Sequence, residues 1–271
     1  MSSDTIQVDI INSALAEFGA TRIASLTEDT VERITATDIF AEVRDRLLAD
    51  YSWNFAIKRK SLTPAAEQTP TSITYSGTTA TVNLTAHGYS ADMFVRIAGA
   101  NQDPYNGDWL VASASTNSFT YVMDDTPTAN ASGTLTVEQV PGFEYDYLYT
   151  LPSDNLRILE LYEPADLKYV IESNYLMCDE DEKIWIKYIK QVTDYTLWPP
   201  PARKCLALAL AVKMSPKLRG VADVSTRTRL KEDLETELLR ASVVNAIEGN
   251  PNTPKEMQSL DKGNFSWQTE R

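Results

Sequence analysis

Between Pro70 and Val137 the chain is rich in Thr, Ser, Gly and Asn and almost free of Lys and Arg, while the segments on either side read as helix, helix and mixed strands. Such a stretch has few helix formers and many turn residues. It must fold as short strands, and the flanking halves must find each other around it. The expectation is an α+β protein: an α-helical bundle with a β-rich platform, and an inserted small all-β sandwich or barrel module. The boundaries expected are 1–64 and 139–248 for the discontinuous host domain, 65–138 for the β module, and 249–271 for an extended C-terminal tail.

Within the insert, six short segments carry strand patterning: Ser72 to Tyr75, Thr79 to Leu84, Met93 to Ile97, Trp109 to Ser113, Phe119 to Met123 and Gly133 to Val137. Gly, Asn, Asp and Pro separate them. The expected core is Ile73, Val82, Leu84, Phe94, Val95, Ile97, Trp109, Val111, Phe119, Tyr121 and Val137.

The host opens with a helix expected from Thr5 to Phe18, where Ile6, Ile10, Ala14, Leu15 and Phe18 share a face, Asp4 or Thr5 caps, and Gly19 ends it. A second helix runs from Asp29 to Tyr51. Its stripe is Phe40, Val43, Leu47, Leu48 and Tyr51, and its wetter side Asp38, Glu42, Arg44, Asp45 and Arg46. A strand-like segment follows from Asn54 to Leu62. After the insert, Tyr145 to Leu151 and Leu156 to Tyr162 read as strands. Tyr169 to Glu172, Tyr175 to Cys178 and Lys183 to Tyr188 read as successive hairpin strands, with Asp179 to Glu182 as the last turn.

Trp198-Pro-Pro-Pro returns the chain to helix, because Pro is tolerated only in a first turn. The helix from Ala202 to Met214 is apolar nearly all round, so it must be buried in a core or at a subunit contact. After Pro216 and Gly220 comes a helix from Ser225 to Ile247, with Leu230, Leu234, Leu238 and Ala241 on one face among many charges. The tail carries two large apolar anchors, Phe265 and Trp267.

Charge and cysteine count narrow the function classes. The net charge is −13, with 38 acidic against 25 basic residues. Binding that works by neutralising phosphates is disfavoured, although an acidic surface suits a passage through which DNA slides without adhering. Cys178 and Cys205 are too few for a disulfide framework and too far apart for a redox pair or metal knuckle. The start, Met1-Ser-Ser-Asp-Thr-Ile, has neither the basic nor the apolar region of a secretion signal, and no run is long enough for a membrane span. A reducing cytoplasm is expected during assembly, with no membrane partner.

No catalytic, cofactor-binding or metal site is expected. His87 is the only histidine, so any triad or multi-histidine zinc site must use it, and its turn-like setting reads as structural. The four acids Asp179 to Glu182 could offer oxygens to a divalent ion, but adjacent residues do not converge without a dedicated loop. Cys205 reads as a small buried hydrophobe. Lys58-Arg59-Lys60 reads as a solvated strand end or an ion-pair partner rather than a phosphate site. Neither Walker nor dinucleotide spacing occurs.

The interaction features are stronger. Arg227, Arg229 and Lys231 on the last helix, with Phe265 and Trp267 in the tail, are the candidate contacts to a neighbouring copy or to a docking partner. Three further phrases extend this. Tyr51-Ser-Trp-Asn-Phe after two helices, Tyr147-Leu-Tyr-Thr-Leu-Pro-Ser-Asp-Asn-Leu-Arg-Ile-Leu, and Lys183-Ile-Trp-Ile-Lys-Tyr-Ile followed by Trp198-Pro-Pro and an Ala-Leu-rich helix resemble the tail tubular protein A family, the head-to-tail adaptors of short-tailed bacteriophages. The resemblance covers roughly residues 5–62 and 141–247.

It implies a structural virion protein of the tail or neck, forming a ring of twelve copies between the portal protein and a tail nozzle of the tubular protein B kind. Tail fibres are a further possible partner, and DNA passes through the lumen in genome ejection. Twelve copies at −13 each make an acidic, non-adhesive channel a natural corollary. The insert departs from a minimal adaptor. Its phrases Ala86-His-Gly-Tyr-Ser, Tyr105-Asn-Gly-Asp-Trp and Ser118-Phe-Thr-Tyr resemble small β modules of phage structural proteins, which implies decoration or contact. Two rival functions are a tail-associated peptidoglycan hydrolase and a receptor- or glycan-binding protein acting through the insert.

Overall fold

The computed structural model describes residues 2–162, 167–220 and 223–249. Among them the chain is mixed α and β, with four α-helices and twelve strands in antiparallel sheets. Two compact units are distinguished. One takes the described residues among Met1–Lys58, Asp154–Leu159 and Tyr188–Arg271, the other Arg59–Ser153 and Glu160–Lys187.

The first unit holds helices α1 (Ser3–Ala16), α2 (Val31–Asp50), α3 (Pro200–Arg219) and α4 (Val224–Gly249). Its core gathers Ile10, Ile11, Leu15, Phe40, Leu48, Leu206, Leu210, Met214 and Leu230 around α3. The all-round apolar character of α3 therefore finds its reason here: Cys205, Leu206, Leu208, Leu210 and Ala211 are all buried. Each buried leucine contributes roughly 1.5–3 kcal/mol relative to exposure. The cap is Ser2 rather than the expected Asp4 or Thr5: its side chain accepts the amide of Thr5 and opens α1. Gly19, at φ +66°, supplies the left-handed turn after that helix.

Two expectations for this unit need correction. Arg44 does not lie on a wet side: it is buried, and its guanidinium donates to the Asp45 carboxylate at 2.7 Å and to the Tyr195 hydroxyl at 3.3 Å. Helix α3 does not stop before Pro216 but runs through it to Arg219. Proline removes the amide that would bond the carbonyl of Val212, and the Ser215 hydroxyl donates to that carbonyl instead, at 3.3 Å.

The second unit is dominated by six strands: β2 (Ser72–Ser76), β3 (Thr79–Asn83), β4 (Phe94–Ala100), β5 (Gly107–Ala114), β6 (Ser118–Val122) and β7 (Gly133–Val140). They form one antiparallel sheet in the order β2-β3-β6-β5-β4-β7. The sheet curls on itself. The amide of Ala131, just before β7, donates to the carbonyl of Ile73 on β2 at 3.1 Å, and Gln68 pairs with Val137. The register of β4 on β7 shifts at Ala98–Ala100. Gly99 sits in that bulge at φ +79°, where a Cβ would come within 1.8 Å of the Thr134 carbonyl oxygen.

Of the expected core of this unit, Phe94 and Trp109 are only half-buried. Tyr105, outside the expected core, is fully buried. It lies in a 3-10 turn, outside the alternating pattern. Its carbonyl accepts from Trp109 Nε1 at 2.9 Å and from the Tyr121 hydroxyl at 3.2 Å, so it organises both aromatics.

Strands β8 (Tyr147–Thr150), β10 (Tyr169–Glu172) and β11 (Tyr175–Cys178) make a three-stranded sheet in the order β10-β11-β8. The expected hairpin from β11 into Lys183 to Tyr188 does not form. That segment becomes β12 (Ile184–Lys190), which lies between β1 (Ile57–Leu62) and β9 (Asn155–Tyr162). Its inward residues Ile184, Ile186 and Tyr188 are buried and Trp185 is half-exposed, the alternation of a strand with one face covered.

Candidate functional site

His87, Cys178 and Cys205 are enclosed by packing. His87 is buried against Tyr89 and Phe119, with ring centroids 5.2 and 5.3 Å away, and its Nδ1 accepts the amide of Tyr89 at 3.0 Å. Cys205 is fully buried, and burial pushes its thiol up to about 12. Burial likewise raises the thiol of Cys178. A thiol so placed is protonated and inert at neutral pH. The acids Asp179 to Glu182 form a turn whose backbone is the functional part: the Tyr149 hydroxyl donates to the carbonyls of Glu180 and Glu182, the latter at 2.7 Å. Among the described residues no group of three or more His, Cys, Asp or Glu is placed to hold a metal ion.

What the first unit does assemble is a frame. Trp53 donates its indole N–H to the Leu47 carbonyl at 3.0 Å, and Phe55 packs on Trp198 with ring centroids 5.1 Å apart. Asp154 accepts from the Tyr188 hydroxyl at 2.9 Å and from Lys58 Nζ at 3.1 Å, while its carbonyl takes the amide of Gln191 at 2.7 Å. Burial alone would raise the Asp154 carboxyl, yet the bonds from Tyr188 and Lys58 hold it below the usual carboxylate range. Lys58 of the basic cluster is thus an ion-pair partner, and Arg59 and Lys60 are exposed on β1.

Helix α4 presents the candidate contact surface. Asp223 accepts the amide of Thr226 at 3.2 Å and caps its start. Leu230, Leu238 and Ala241 face the core, whereas Leu239 is 62% exposed and Val244 43%. The basic residues fall in three different settings. Arg227 is half-buried. Arg229 is engaged within the chain: it donates to Asp233 at 2.8 Å and to the Glu17 carbonyl at 2.6 Å, fastening the end of α1. Lys231 is exposed and lines a groove between α2, α3 and α4. Phe265 and Trp267 lie outside the described residues.

That groove, about 440 Å³, is lined by Val43, Leu47, Tyr51, Val212, Leu234 and Leu238. Glu42 with Lys213, and Arg46 with Asp50, form ion pairs at 3.5 Å along its rim. Val43, Leu47 and Tyr51 belong to the apolar stripe expected of the second helix. Only the placement of α4 leaves an open channel beside them. A second, smaller cleft lies on the six-stranded sheet's unit, lined by Asp103, Pro104, Asn106, Trp109, Asp124 and Asp125.

No known protein family matches the chain, and no curated protein matches it. Part of it is similar to a solved structure, the phage phi92 endosialidase, at 22% identity over 39% of this chain and with a TM-score of 0.23. The match spans 17% of that protein's length. A likeness at that level carries no inference about fold or activity.

Proposed function

We propose that this chain is a structural virion protein, a head-to-tail adaptor that forms a twelve-membered ring between portal and tail nozzle and passes DNA through its lumen. One observation carries the reading. The phrases that resemble the adaptor family are distant in sequence but are each other's partners: Phe55 of the first packs against Trp198 of the last with tilted rings, and Lys58, Asp154 and Tyr188 join the strand after the first phrase to the other two. Phrases that serve one shared frame are expected to meet in this way. The helices of the first unit then serve as the adaptor's bundle, the strands as its platform, and the β module as an appended contact element.

In this reading the chain performs no catalysis, and its mechanism is geometric. Helix α4, with its apolar stripe inward and Leu239 and Val244 outward, supplies a face for a neighbouring copy. Imaging of the particle is the test. A twelvefold ring of this chain beneath the portal is expected, and its location elsewhere in the virion overturns the proposal.

A second reading, glycan binding by the β module, is favoured by the cleft around Trp109, where an indole adjoins Asn106 and three aspartates. Glycan-array binding by the full chain, abolished by Trp109→Ala, would support that alternative.

A further inference from the structure

An apolar row crosses the outer face of the curled sheet. Phe94 on β4 pairs with Leu110 on β5, and Val122 on β6 takes the position next to Leu110, one beyond the Val111–Tyr121 pair. The residues beside them in sequence, Val95, Val111 and Tyr121, belong to the buried cluster, so Phe94, Leu110 and Val122 lie on the opposite face. Leu110 and Val122 are exposed, and contiguous exposed apolar side chains mark interaction surfaces.

Phe143 extends the row. The backbone of Gly142 lies so close to the Phe94 ring that a Cβ there would come within 2.4 Å of it, and the next residue, Phe143, is 74% exposed. Gly142 at φ +92° and Glu144 at φ +71° bracket it, and a glutamate adopts that left-handed conformation only at a cost. The turn thus holds an aromatic side chain in water.

Beside the apolar row runs a charged one that is short of cations. Arg96 pairs in register with Asp108 and Glu138, donates to the Asp108 carboxylate at 2.8 and 3.0 Å, and stands 3.6 Å from Glu138 and from Asp146. One guanidinium therefore faces three carboxylates. Burial holds the Glu138 carboxyl above its ordinary value in spite of Arg96. From Ala65 to Thr150 the sequence has nine acidic residues, and Arg96 is the single basic one.

We propose that this face binds a segment of a partner protein in which Lys or Arg alternates with large apolar side chains, the apolar ones seated on Leu110, Val122 and Phe143 and the cations on Asp108, Glu138 and Asp146. Charge selects the occupant. The excess of carboxylates repels nucleic acid and anionic lipid, and it opposes face-to-face pairing of two copies. The site rests on neither reading above: it needs no ring, and Trp109 of the glycan cleft and Leu110 are successive residues that point to opposite faces of β5.

The probe is a short labelled peptide of alternating Lys and Leu, titrated with the full chain and followed by fluorescence anisotropy. It is expected to bind about tenfold tighter than its Lys–Ser and Glu–Leu counterparts. Phe143→Ser, in an exposed turn, and Asp146→Lys, at an exposed carboxylate, should each weaken binding about tenfold while circular dichroism stays unchanged. Equal binding of the Lys–Ser peptide reduces the effect to bulk charge, and equal binding of the Glu–Leu peptide reduces it to apolar adhesion. Either result overturns the proposal, as does undiminished affinity in either variant. Self-association of the free chain in sedimentation that Phe143→Ser abolishes assigns the face to a second copy, and flotation with phosphatidylcholine vesicles that the same variant abolishes assigns it to lipid. Both of these outcomes also overturn it.

Discussion

Ser215 donates its hydroxyl to the carbonyl of Val212, the acceptor that Pro216 deprives of its helical amide. The pair explains how a proline sits inside α3 without ending it. Ser215→Ala should cost about 1 kcal/mol, the worth of a buried hydrogen bond whose acceptor is left unpaired. In a Pro216→Ala background the cost should fall to a few tenths, because the restored amide bonds Val212. A double-mutant cycle by urea unfolding measures this coupling, and additive effects would refute it.

Gly99→Ala should destabilise the six-stranded sheet by about 2 kcal/mol or more. The added Cβ meets the Thr134 carbonyl, and the positive φ strains any side chain. Thermal unfolding followed by circular dichroism tests it, with Gly77→Ala as the comparison: that site also has positive φ, but open space around it.

Asp154 links stability to pH. Its folded carboxyl lies below its ordinary value, so the stabilisation is complete above about pH 5 and is lost as pH falls through the folded value. The group is partly exposed and screened, which limits the contribution to about 1 kcal/mol. Asp154→Asn should remove that amount at pH 7 and flatten the acid limb below about pH 5. An unaltered pH profile would count against the assignment.

Cys205 should resist thiol reagents at pH 8 in the folded chain and react fully in denaturant, since burial keeps its thiol protonated with a pKa of about 12. Mass spectrometry after alkylation reads both states. Rapid native labelling would show that α3 is less enclosed than its burial indicates.

Arg229→Ala should lower stability by about 0.5–1 kcal/mol through the loss of its bonds to Asp233 and the end of α1, whereas Lys231→Ala should change it by less than about 0.3 kcal/mol. Paired chemical denaturation curves distinguish the two. Equal effects would mean that Arg229 does not fasten α1.

Much of the fold was legible as local pattern. The strands of the curled sheet were found to within a few residues because alternation and turn chemistry act over short stretches. Tyr105 escaped that reading because a 3-10 turn has no such period, and Arg44 because its partners, Asp45 and the buried Tyr195, include one 151 residues away. The candidate contacts show the same divide. Arg229 belongs to a charged helix face in sequence, and only the packing of α1 beside α4 ties it to Glu17.

The sequence by itself determined that the Thr- and Ser-rich stretch forms short strands and that one helix, apolar nearly all round, must be largely buried. Each follows from composition and periodicity, which the backbone reads residue by residue. Tertiary structure alone decided that β12 abandons its expected hairpin for a place between β1 and β9, that α3 survives Pro216, and that α2, α3 and α4 leave an apolar groove at Tyr51. Those outcomes depend on which surfaces meet across long loops, and pairing at that distance is set by burial and hydrogen-bond satisfaction summed over the fold rather than by any local run of residues.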